Sequence, residues 1–130
     1  MQIGSSRPPQ SVYEVVGGRD YFERLIGHFY QGIESDPVLR PMYPADLTEA
    51  RRNMVEFLGQ YWGGPTDYSD RKGHPRLRMR HARFPVDEGA KAAWLGHMEA
   101  ALAETEGADE DVRQAMVEYF RMAANHLLNR

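Results

Sequence analysis

The sequence RDYFERLIGHFYQGIES, residues 19–35, predicts a long helix with one strongly apolar face. Its large apolar side chains recur at spacings of three and four residues, which places them on one side of a helical wheel. The members of this face are Phe22, Leu25, Ile26, Phe29 and Ile33. Tyr30 lies at the edge of the face, whereas His28 lies well off it. We therefore expect the apolar face to be buried and His28 to be solvated.

The residues before this helix predict a flexible lead and a short first helix. Residues 1–10 are rich in glycine, serine and proline and lack the apolar middle of a signal peptide. Ser11 precedes Glu14 by three residues, which is the spacing of a capping box, and Gly17-Gly18 offers a left-handed helix end. We expect a lead at residues 1–10 and a single domain at residues 11–130.

The residues after the long helix are punctuated by prolines. Asp36 is suited to cap a new helix, and Pro37 to its first position. Pro41 and Pro44 follow closely, so this helix should be brief. Tyr43 is held between these two prolines.

Three further helical segments complete the pattern. The first spans about 47–61, the second spans 88–105 with Asp87 as its N-cap, and the third begins with acidic residues at 109–111 that suit the positive end of a helix dipole. Residues 66–73 are polar and predict a loop. No segment has the alternation of a strand, so we expect an all-α fold. The apolar faces comprise Leu47, Met54, Leu58, Tyr61 and Trp62, then Ala90, Trp94, Leu95, Met98, Ala101 and Leu102, then Val112, Met116, Tyr119, Phe120, Ala123 and Leu127.

Composition and charge restrict the class of protein. A chain of 130 residues can bury one sizeable core. The net charge of -3 argues against binding to nucleic acid, which needs a basic field. The absence of cysteine excludes a disulfide scaffold and a thiolate metal site, and it fits a reducing cytosol. No apolar run approaches the roughly 20 residues that span a bilayer, so we expect a soluble, cytoplasmic protein with no membrane span.

The stretch GHPRLRMRHARFP, residues 73–85, is the candidate cofactor site. It places four arginines within eight positions around His81. If His81 binds iron, these basic neighbours would suit an anionic cofactor better than a bare dication. Haem fits, because one histidine can bind its iron and arginines can hold its two propionates through charge-assisted hydrogen bonds. The alternative is that Arg76, Arg78 and Arg80 form a surface face that pairs with nearby acids.

The other four histidines are assigned ordinary roles. We expect His74 to lie in a surface turn and His97 to lie at the rim of its helix face. His28, as stated above, is expected to be solvated. His126 projects toward the apolar side of the last helix, where a core position is expected. No histidine combines with an acidic residue at a zinc-site spacing such as H-E-x-x-H.

A haem pocket also needs a dry wall that donates hydrogen bonds to a bound diatomic molecule. Tyr30, Tyr43 and Trp94 each combine an apolar body with one polar hydrogen, which needs an acceptor when it is buried. Bound dioxygen, polarised toward superoxide, is such an acceptor. Ordinary aromatic core packing is the alternative for each residue taken singly.

Several motifs together resemble those of the group II truncated haemoglobins of bacterial type. They are FY at residues 29–30, DPVLRPMYP at 36–44, QYWGGP at 60–65, and residues 74–81, with Trp94 thirteen residues beyond His81. The glycine pairs at 17–18 and 63–64 also match. The resemblance covers about residues 12–129. It implies a truncated globin fold, in which a two-over-two helical sandwich surrounds haem b.

The resemblance also implies roles for individual residues. His81 would be the proximal iron ligand. Ala50 falls where many globins carry a distal histidine, so this small residue would leave a path for ligand entry, and Met54 replaces the usual leucine. The distal set would comprise Tyr30, Tyr43, Trp94, Ala50 and Met54. The cofactor-binding residues would comprise Phe57, Leu58, Leu77, Arg78, Arg80, Phe84 and Val86, with the two arginines on the propionates.

Three functions remain open. The first is binding of dioxygen, CO or NO at one open iron position by a monomer or homodimer. A dense set of donors should slow release, which argues against bulk oxygen transport, since each net hydrogen bond contributes about 1 kcal/mol and a tenfold effect needs about 1.4. The second is a redox enzyme that dioxygenates nitric oxide or turns over peroxide, with electrons from an unknown reductase. The third, a cofactor-free helical interaction module, predicts a colourless protein.

Overall fold

The computed structural model describes residues 10–74 and 86–129, and these contain helices and turns but no strand. The all-α prediction is therefore confirmed for this part of the chain. The helices are α1 (Val12–Val16), α2 (Arg19–Glu34), α3 (Thr48–Tyr61), α4 (Asp67–Lys72), α5 (Glu88–Glu104) and α6 (Glu110–His126), and a 3₁₀ turn spans Arg40–Met42. Residues 1–9 of the predicted lead and the stretch 75–85, which contains His81, lie outside the described residues.

Helix α1 is capped at both ends as the sequence predicts. The Glu14 amide donates to the Ser11 hydroxyl at 3.2 Å, and the Ser11 amide donates to the Glu14 carboxylate at 3.1 Å. Gly17 then ends the helix with a φ of 108°, a left-handed conformation that favours glycine. The Tyr13 amide donates to the Trp62 carbonyl at 2.9 Å, which attaches this short helix to the end of α3.

Helix α2 forms the centre of the core. All five side chains of its predicted apolar face are fully buried, and so is Tyr21, which the pattern did not include. Tyr30, at the edge of that face, is only 3% exposed. The helix packs against both α3 and α5, and α5 packs in turn against α6. The four long helices thus form two packed pairs around one core.

The segment after α2 is a turn, so the predicted helix from Pro37 was wrong. Asp36 does act as a cap, because its Oδ1 accepts hydrogen bonds from the amides of Val38 at 2.8 Å and Leu39 at 3.1 Å. A helix does not continue because Pro41 and Pro44 have no amide hydrogen to donate to the preceding turn. Only the 3₁₀ turn at Arg40–Met42 forms.

The predicted loop at residues 66–73 contains helix α4, and this prediction was also wrong. Acidic residues occupy the first turn of α4 and basic residues its last turn, which suits the helix dipole. Gln60 anchors it, since the Gln60 amide nitrogen donates to the Ser69 hydroxyl at 2.6 Å and its oxygen accepts from the Ser69 amide at 3.0 Å. Tyr68 is the one buried residue of this helix. A single apolar position gives no periodicity to recognise.

A buried carboxylate connects three of these helices. The Glu56 side chain on α3 is 5% exposed and accepts hydrogen bonds from Arg71 at 2.6 Å and Arg52 at 3.2 Å. Arg19, at the start of α2, lies 3.5 Å away. Burial alone would raise the pKa of Glu56, but hydrogen bonds and charge from Arg71 and Arg52 outweigh it, so the pKa lies below its ordinary value. The cluster joins α2, α3 and α4 through one charge.

Helices α5 and α6 begin with aspartate caps. Asp87 accepts from the Ala90 amide at 2.8 Å, as predicted, and Asp109 accepts from the Val112 amide at 2.9 Å. Two burial predictions on the long helices were wrong: Tyr61 is 50% exposed at the end of α3, and His126 is exposed at the end of α6. Both occupy a last helical turn, where few neighbours remain to cover a side chain. No helix in the described part of the chain is long and apolar enough to cross a membrane.

Candidate haem and ligand site

A largely apolar cavity of about 320 Å³ lies between the helix pairs, beneath the segment that follows α2. Aromatic and aliphatic side chains from α2, α3, α5 and α6 form most of its wall. The described residues that line it are Tyr30, Leu39, Met42, Tyr43, Pro44, Met54, Phe57, Leu58, Val86, Ala90, Lys91, Trp94, Tyr119, Phe120, Ala123, Ala124 and Leu127. A flat apolar cofactor with a small number of polar attachments suits such a wall.

Three predicted distal residues meet on this wall although they are far apart in sequence. The rings of Tyr30 and Tyr43 meet edge to face with centroids 5.6 Å apart. The Trp94 side chain lies close enough to the Tyr43 hydroxyl to lower the pKa of that group. Phe29 packs at right angles to Tyr30 and at 5.3 Å from Trp94, so it holds the two from behind. Tyr43 therefore neighbours both Tyr30 and Trp94 on this wall.

Tyr30 and Tyr43 are both neutral, and therefore potential hydrogen-bond donors, at physiological pH. Burial raises the pKa of Tyr43 to about 12, against a smaller lowering by the Trp94 hydrogen bond. Burial also raises the pKa of Tyr30, and the neighbouring Tyr43 raises it further. A neutral phenol can donate its hydrogen to a partly negative ligand atom in the cavity, whereas a phenolate would repel it.

The position of Tyr43 is fixed by contacts at both ends of its segment. Arg40 donates through Nη1 to the carbonyls of Tyr43 at 3.3 Å and Pro44 at 3.0 Å, and through Nη2 to Ala45 at 2.9 Å. At the other end, His97 on α5 lies 2.7 Å from Asp36. The segment is thus held by polar contacts as well as by its buried Leu39.

The remaining predicted site residues divide into three groups. Met54, Phe57, Leu58 and Val86 line the cavity. Ala50 is half-buried and packs on the core, but it is not among the lining residues, and its role as a ligand path stays a prediction. The rest lie outside the described residues, so the structure does not test them; they are Leu77, Arg78, Arg80, His81 and Phe84.

The sequence did not point to Lys91, which is the one basic side chain among the described residues that line the cavity. It comes three residues before Trp94 on α5, a spacing that places both on the same helix face. Its Nζ lies 3.2 Å from Glu88 and 3.4 Å from the Asn125 side-chain oxygen. The spacing of Lys91 and Trp94 was the available signal that Lys91 borders the cavity, but an isolated lysine on a helix is usually a solvent-exposed charge.

The histidines in the described part of the chain do not all match their predicted roles. His74 is exposed as expected. His28 is half-buried, and its Nδ1 is buried without a hydrogen-bond partner among the described residues, so its assignment as a solvated residue was wrong. His97 is half-buried and bound to Asp36. Within the described residues no three histidine, aspartate or glutamate side chains gather as a metal site.

Comparison with known proteins identifies the class to which this fold and cavity belong. Residues 11–126 match the family described as bacterial-like globin. Group 2 truncated hemoglobin YjbI of Bacillus subtilis is 37% identical over 117 residues, which cover 90% of this chain and 87% of that protein. The haemoglobin of Chloroflexus aurantiacus has a TM-score of 0.91 at 48% identity, over 94% of this chain and 100% of that one. The group II truncated haemoglobin of Bacillus anthracis has a TM-score of 0.89 at 36% identity, over 95% and 94%.

The chain therefore belongs to the bacterial-like globin family, and the predicted resemblance to group II truncated haemoglobins is confirmed. Its fold is the two-over-two helical sandwich, its cofactor is haem with iron, and its activity is haem-based ligand binding. The cavity fits this cofactor. Its aromatic and aliphatic wall suits a flat porphyrin, and Lys91 offers a positive charge for a carboxylate.

Proposed function

We propose that this protein binds dioxygen, CO and NO at the iron of haem b, held by His81, with Tyr30, Tyr43 and Trp94 as hydrogen-bonding residues on the opposite side. The observation that carries the proposal is the meeting of these three side chains on one cavity wall. The haem supplies the iron at which the diatomic ligand binds. The surrounding residues exclude water and hold polar hydrogens where charge develops on the ligand.

The coupling within the distal set suggests separate roles for its members. Trp94 lowers the pKa of Tyr43, so we assign its indole N–H as a donor to the Tyr43 oxygen, which leaves the Tyr43 hydrogen for another acceptor. Tyr30 packs edge to face against Tyr43 and keeps its own hydroxyl hydrogen. Tyr43 and Tyr30 are then the candidates for direct contact with the ligand, and Trp94 orients Tyr43. Ala50 and Met54 would leave space for ligand entry and shape the pocket.

Basic side chains would hold the cofactor's acidic edge. Arg80 and Arg78 are the candidates that the resemblance implies, and Lys91 is a third on the cavity wall. Apolar contacts to the porphyrin would come from Phe57, Leu58 and Val86 on the described wall, and from Leu77 and Phe84. Charge-assisted hydrogen bonds to propionates would fix the haem's rotation within the cavity.

The absorption spectrum of the purified protein tests this function. We expect a Soret band after haem is supplied, with a shift on addition of CO. His81→Ala should lose haem on gel filtration, whereas His97→Ala and His126→Ala should retain it. A full Soret band and normal haem retention in His81→Ala would overturn the assignment of the iron ligand, and a colourless protein would overturn the whole proposal.

The second candidate is redox turnover at the same haem, either dioxygenation of nitric oxide or reduction of peroxide. One observation favours peroxide reduction: an aromatic contact leads from the cavity wall at Tyr119 to the exposed Tyr61. Steady turnover with a defined reductant, or with a reductase partner, would support this function. A stable oxygen complex with negligible turnover would leave ligand binding alone.

A further inference from the structure

His97 on α5 reaches the segment that carries Tyr43. Its Nε2 atom lies 2.7 Å from Oδ2 of Asp36, which precedes it by 61 positions in the chain. An ionised carboxylate only accepts hydrogen bonds, so Nε2 carries a hydrogen and donates it. A neutral imidazole and a protonated one can both hold a hydrogen on this nitrogen. The contact therefore does not require a charged histidine.

A glycine on α2 makes room for the imidazole of His97. A Cβ atom at Gly32 would overlap that ring, because its nearest neighbours would be Nδ1 and two carbons of the imidazole. The ring thus lies directly against the backbone of α2. The side chains of His97 and Asp36 are 28% and 13% exposed, so the hydrogen bond between them is partly shielded from water. Such shielding strengthens a hydrogen bond.

Asp36 connects this contact to the cavity wall through the backbone. Its Oδ1 accepts from the amides of Val38 at 2.8 Å and Leu39 at 3.1 Å. Its carbonyl accepts from the Arg40 amide at 2.8 Å, and the Arg40 carbonyl accepts in turn from the Tyr43 amide at 3.2 Å. A continuous series of hydrogen bonds therefore leads from His97 to the backbone of Tyr43.

The side chain of Arg40 fixes a different property of the same segment. Its three hydrogen bonds go to the carbonyls of Tyr43, Pro44 and Ala45, so all of them lie within the segment. They keep the segment folded on itself. The contact between His97 and Asp36 instead joins the segment to α5, the helix that carries Trp94. It therefore sets where the segment lies relative to the cavity.

We propose that His97 is a positioning residue for the bound ligand: through Asp36 it places the Tyr43 hydroxyl where it donates to iron-bound dioxygen, and so slows dioxygen release. The proposal rests on the haem function proposed above, in which Tyr43 donates to the ligand. His97 is not among the described residues that line the cavity, so it acts through Tyr43. Hydrogen bonds weaken steeply as their geometry departs from the optimum, so a small shift of the segment is enough to speed release.

Dioxygen release from the haem-loaded protein tests this role. His97→Leu removes the donor and should accelerate dioxygen dissociation by up to about fivefold, the effect of one net hydrogen bond. CO carries less charge than bound dioxygen, so its dissociation should change less. His97→Gln, whose side-chain amide can again donate to Asp36, should return the dioxygen rate toward that of the wild type. The C–O stretching band of the CO complex should broaden in His97→Leu, because the Tyr43 hydroxyl then occupies several positions.

Two further variants separate position from stability. Glu56→Gln is the matched control, because it removes a buried charge from the cluster with Arg71 and Arg52, none of which lines the cavity. It should destabilise the protein and leave dioxygen release unchanged. His97→Leu is also combined with Tyr43→Phe. Once the Tyr43 hydroxyl is absent, His97→Leu should accelerate release little further.

The outcomes are distinguishable. Absence of a Soret band in the wild type would overturn the proposed haem function and this role with it. A normal Soret band with unchanged dioxygen release in Tyr43→Phe would overturn Tyr43 as a donor, and with it the role of His97. If Tyr43→Phe accelerates release, the role of His97 alone is overturned by an unchanged rate in His97→Leu, or by an equal acceleration from His97→Leu when Tyr43 is already replaced. An equal acceleration in Glu56→Gln would also overturn it.

Discussion

His97 on α5 places its Nε2 atom 2.7 Å from Oδ2 of Asp36, one turn beyond Trp94 on the same helix. Asp36 also caps the turn that leads to Tyr43. This pair therefore holds the start of the Tyr43 segment against the helix that carries Trp94. Tyr43 and Trp94, which both line the cavity, lie within the region that the pair braces.

The pair makes stability depend on pH. The hydrogen bond to His97 is the largest cause of a lowered pKa for Asp36, and the amides of Val38 and Leu39 add to it. A carboxyl with a lowered folded-state pKa stabilises the protein above its unfolded pKa of about 4, and that stabilisation is lost as pH falls through the folded value. Asp36→Ala should therefore lower the urea midpoint at pH 6 and approach the wild-type midpoint at pH 3. An equal deficit at both pH values would contradict the charge argument.

The proposed hydrogen bonds from Tyr43 and Trp94 predict how fast dioxygen is released. Trp94→Phe and Tyr43→Phe should each accelerate dioxygen dissociation about fivefold, because each removes about 1 kcal/mol of net hydrogen bonding. The acceleration in the double variant should be smaller than the product of the two single accelerations, since we propose that Trp94 acts through Tyr43. Stopped-flow measurement with CO as the replacing ligand gives these rates, and fully multiplicative effects would show that the two residues act separately.

The buried charge at Glu56 predicts a large stability effect. Glu56→Gln keeps the shape but removes the charge that Arg71 and Arg52 face, and a charged hydrogen bond contributes about 1.5–3 kcal/mol. Arg71→Gln should be similarly destabilising, while Arg121→Gln, whose ion pair with Glu99 is exposed, should change little. Chemical denaturation at neutral pH measures all three. If Glu56→Gln matched Arg121→Gln, the cluster would contribute no more than an ordinary surface pair.

Alanine substitutions at two helical glycines should change the stability of the protein in opposite directions. Gly96→Ala adds a methyl group into open space on α5 and should stabilise by up to about 1 kcal/mol through helix propensity. A Cβ at Gly32 on α2 would overlap the His97 ring and push it away from Asp36. Gly32→Ala should therefore lower the melting temperature and also reduce the pH dependence assigned to Asp36, of which the part due to the Val38 and Leu39 amides remains. A stabilised Gly32→Ala would show that His97 moves aside at no cost.

The sequence predicted the helical framework because its signals are local and strong. Spacing of apolar residues located α2, and capping patterns located the starts of α1 and α5. Helix α4 was missed because it buries only Tyr68 and is anchored by Gln60 from another helix. Tyr61 was expected in the core because its wheel position is apolar, but the position of a helix end relative to its neighbours decides exposure there.

Site residues that belong to recognisable motifs could be predicted from the sequence. Those that depend on how distant elements meet were harder to predict. Tyr30, Tyr43 and Trp94 came from residue type and family resemblance, and the structure brings them to one wall. Lys91 and Tyr119 were not predicted to line the cavity, because periodicity alone does not show which face of a helix borders it. The contact of His97 with Asp36 joins positions 61 residues apart and has no local signal.

Arg40 donates hydrogen bonds to three successive carbonyls, so part of what fixes the Tyr43 segment lies within the segment itself and not in the packing of the long helices. Substitutions that keep Asp36, Arg40 and the buried Leu39 can vary the exposed residues of this segment without disturbing how the long helices pack. Natural selection can therefore adjust how tightly a globin of this design holds its ligand by editing one short surface segment, while the folding of the protein stays the same.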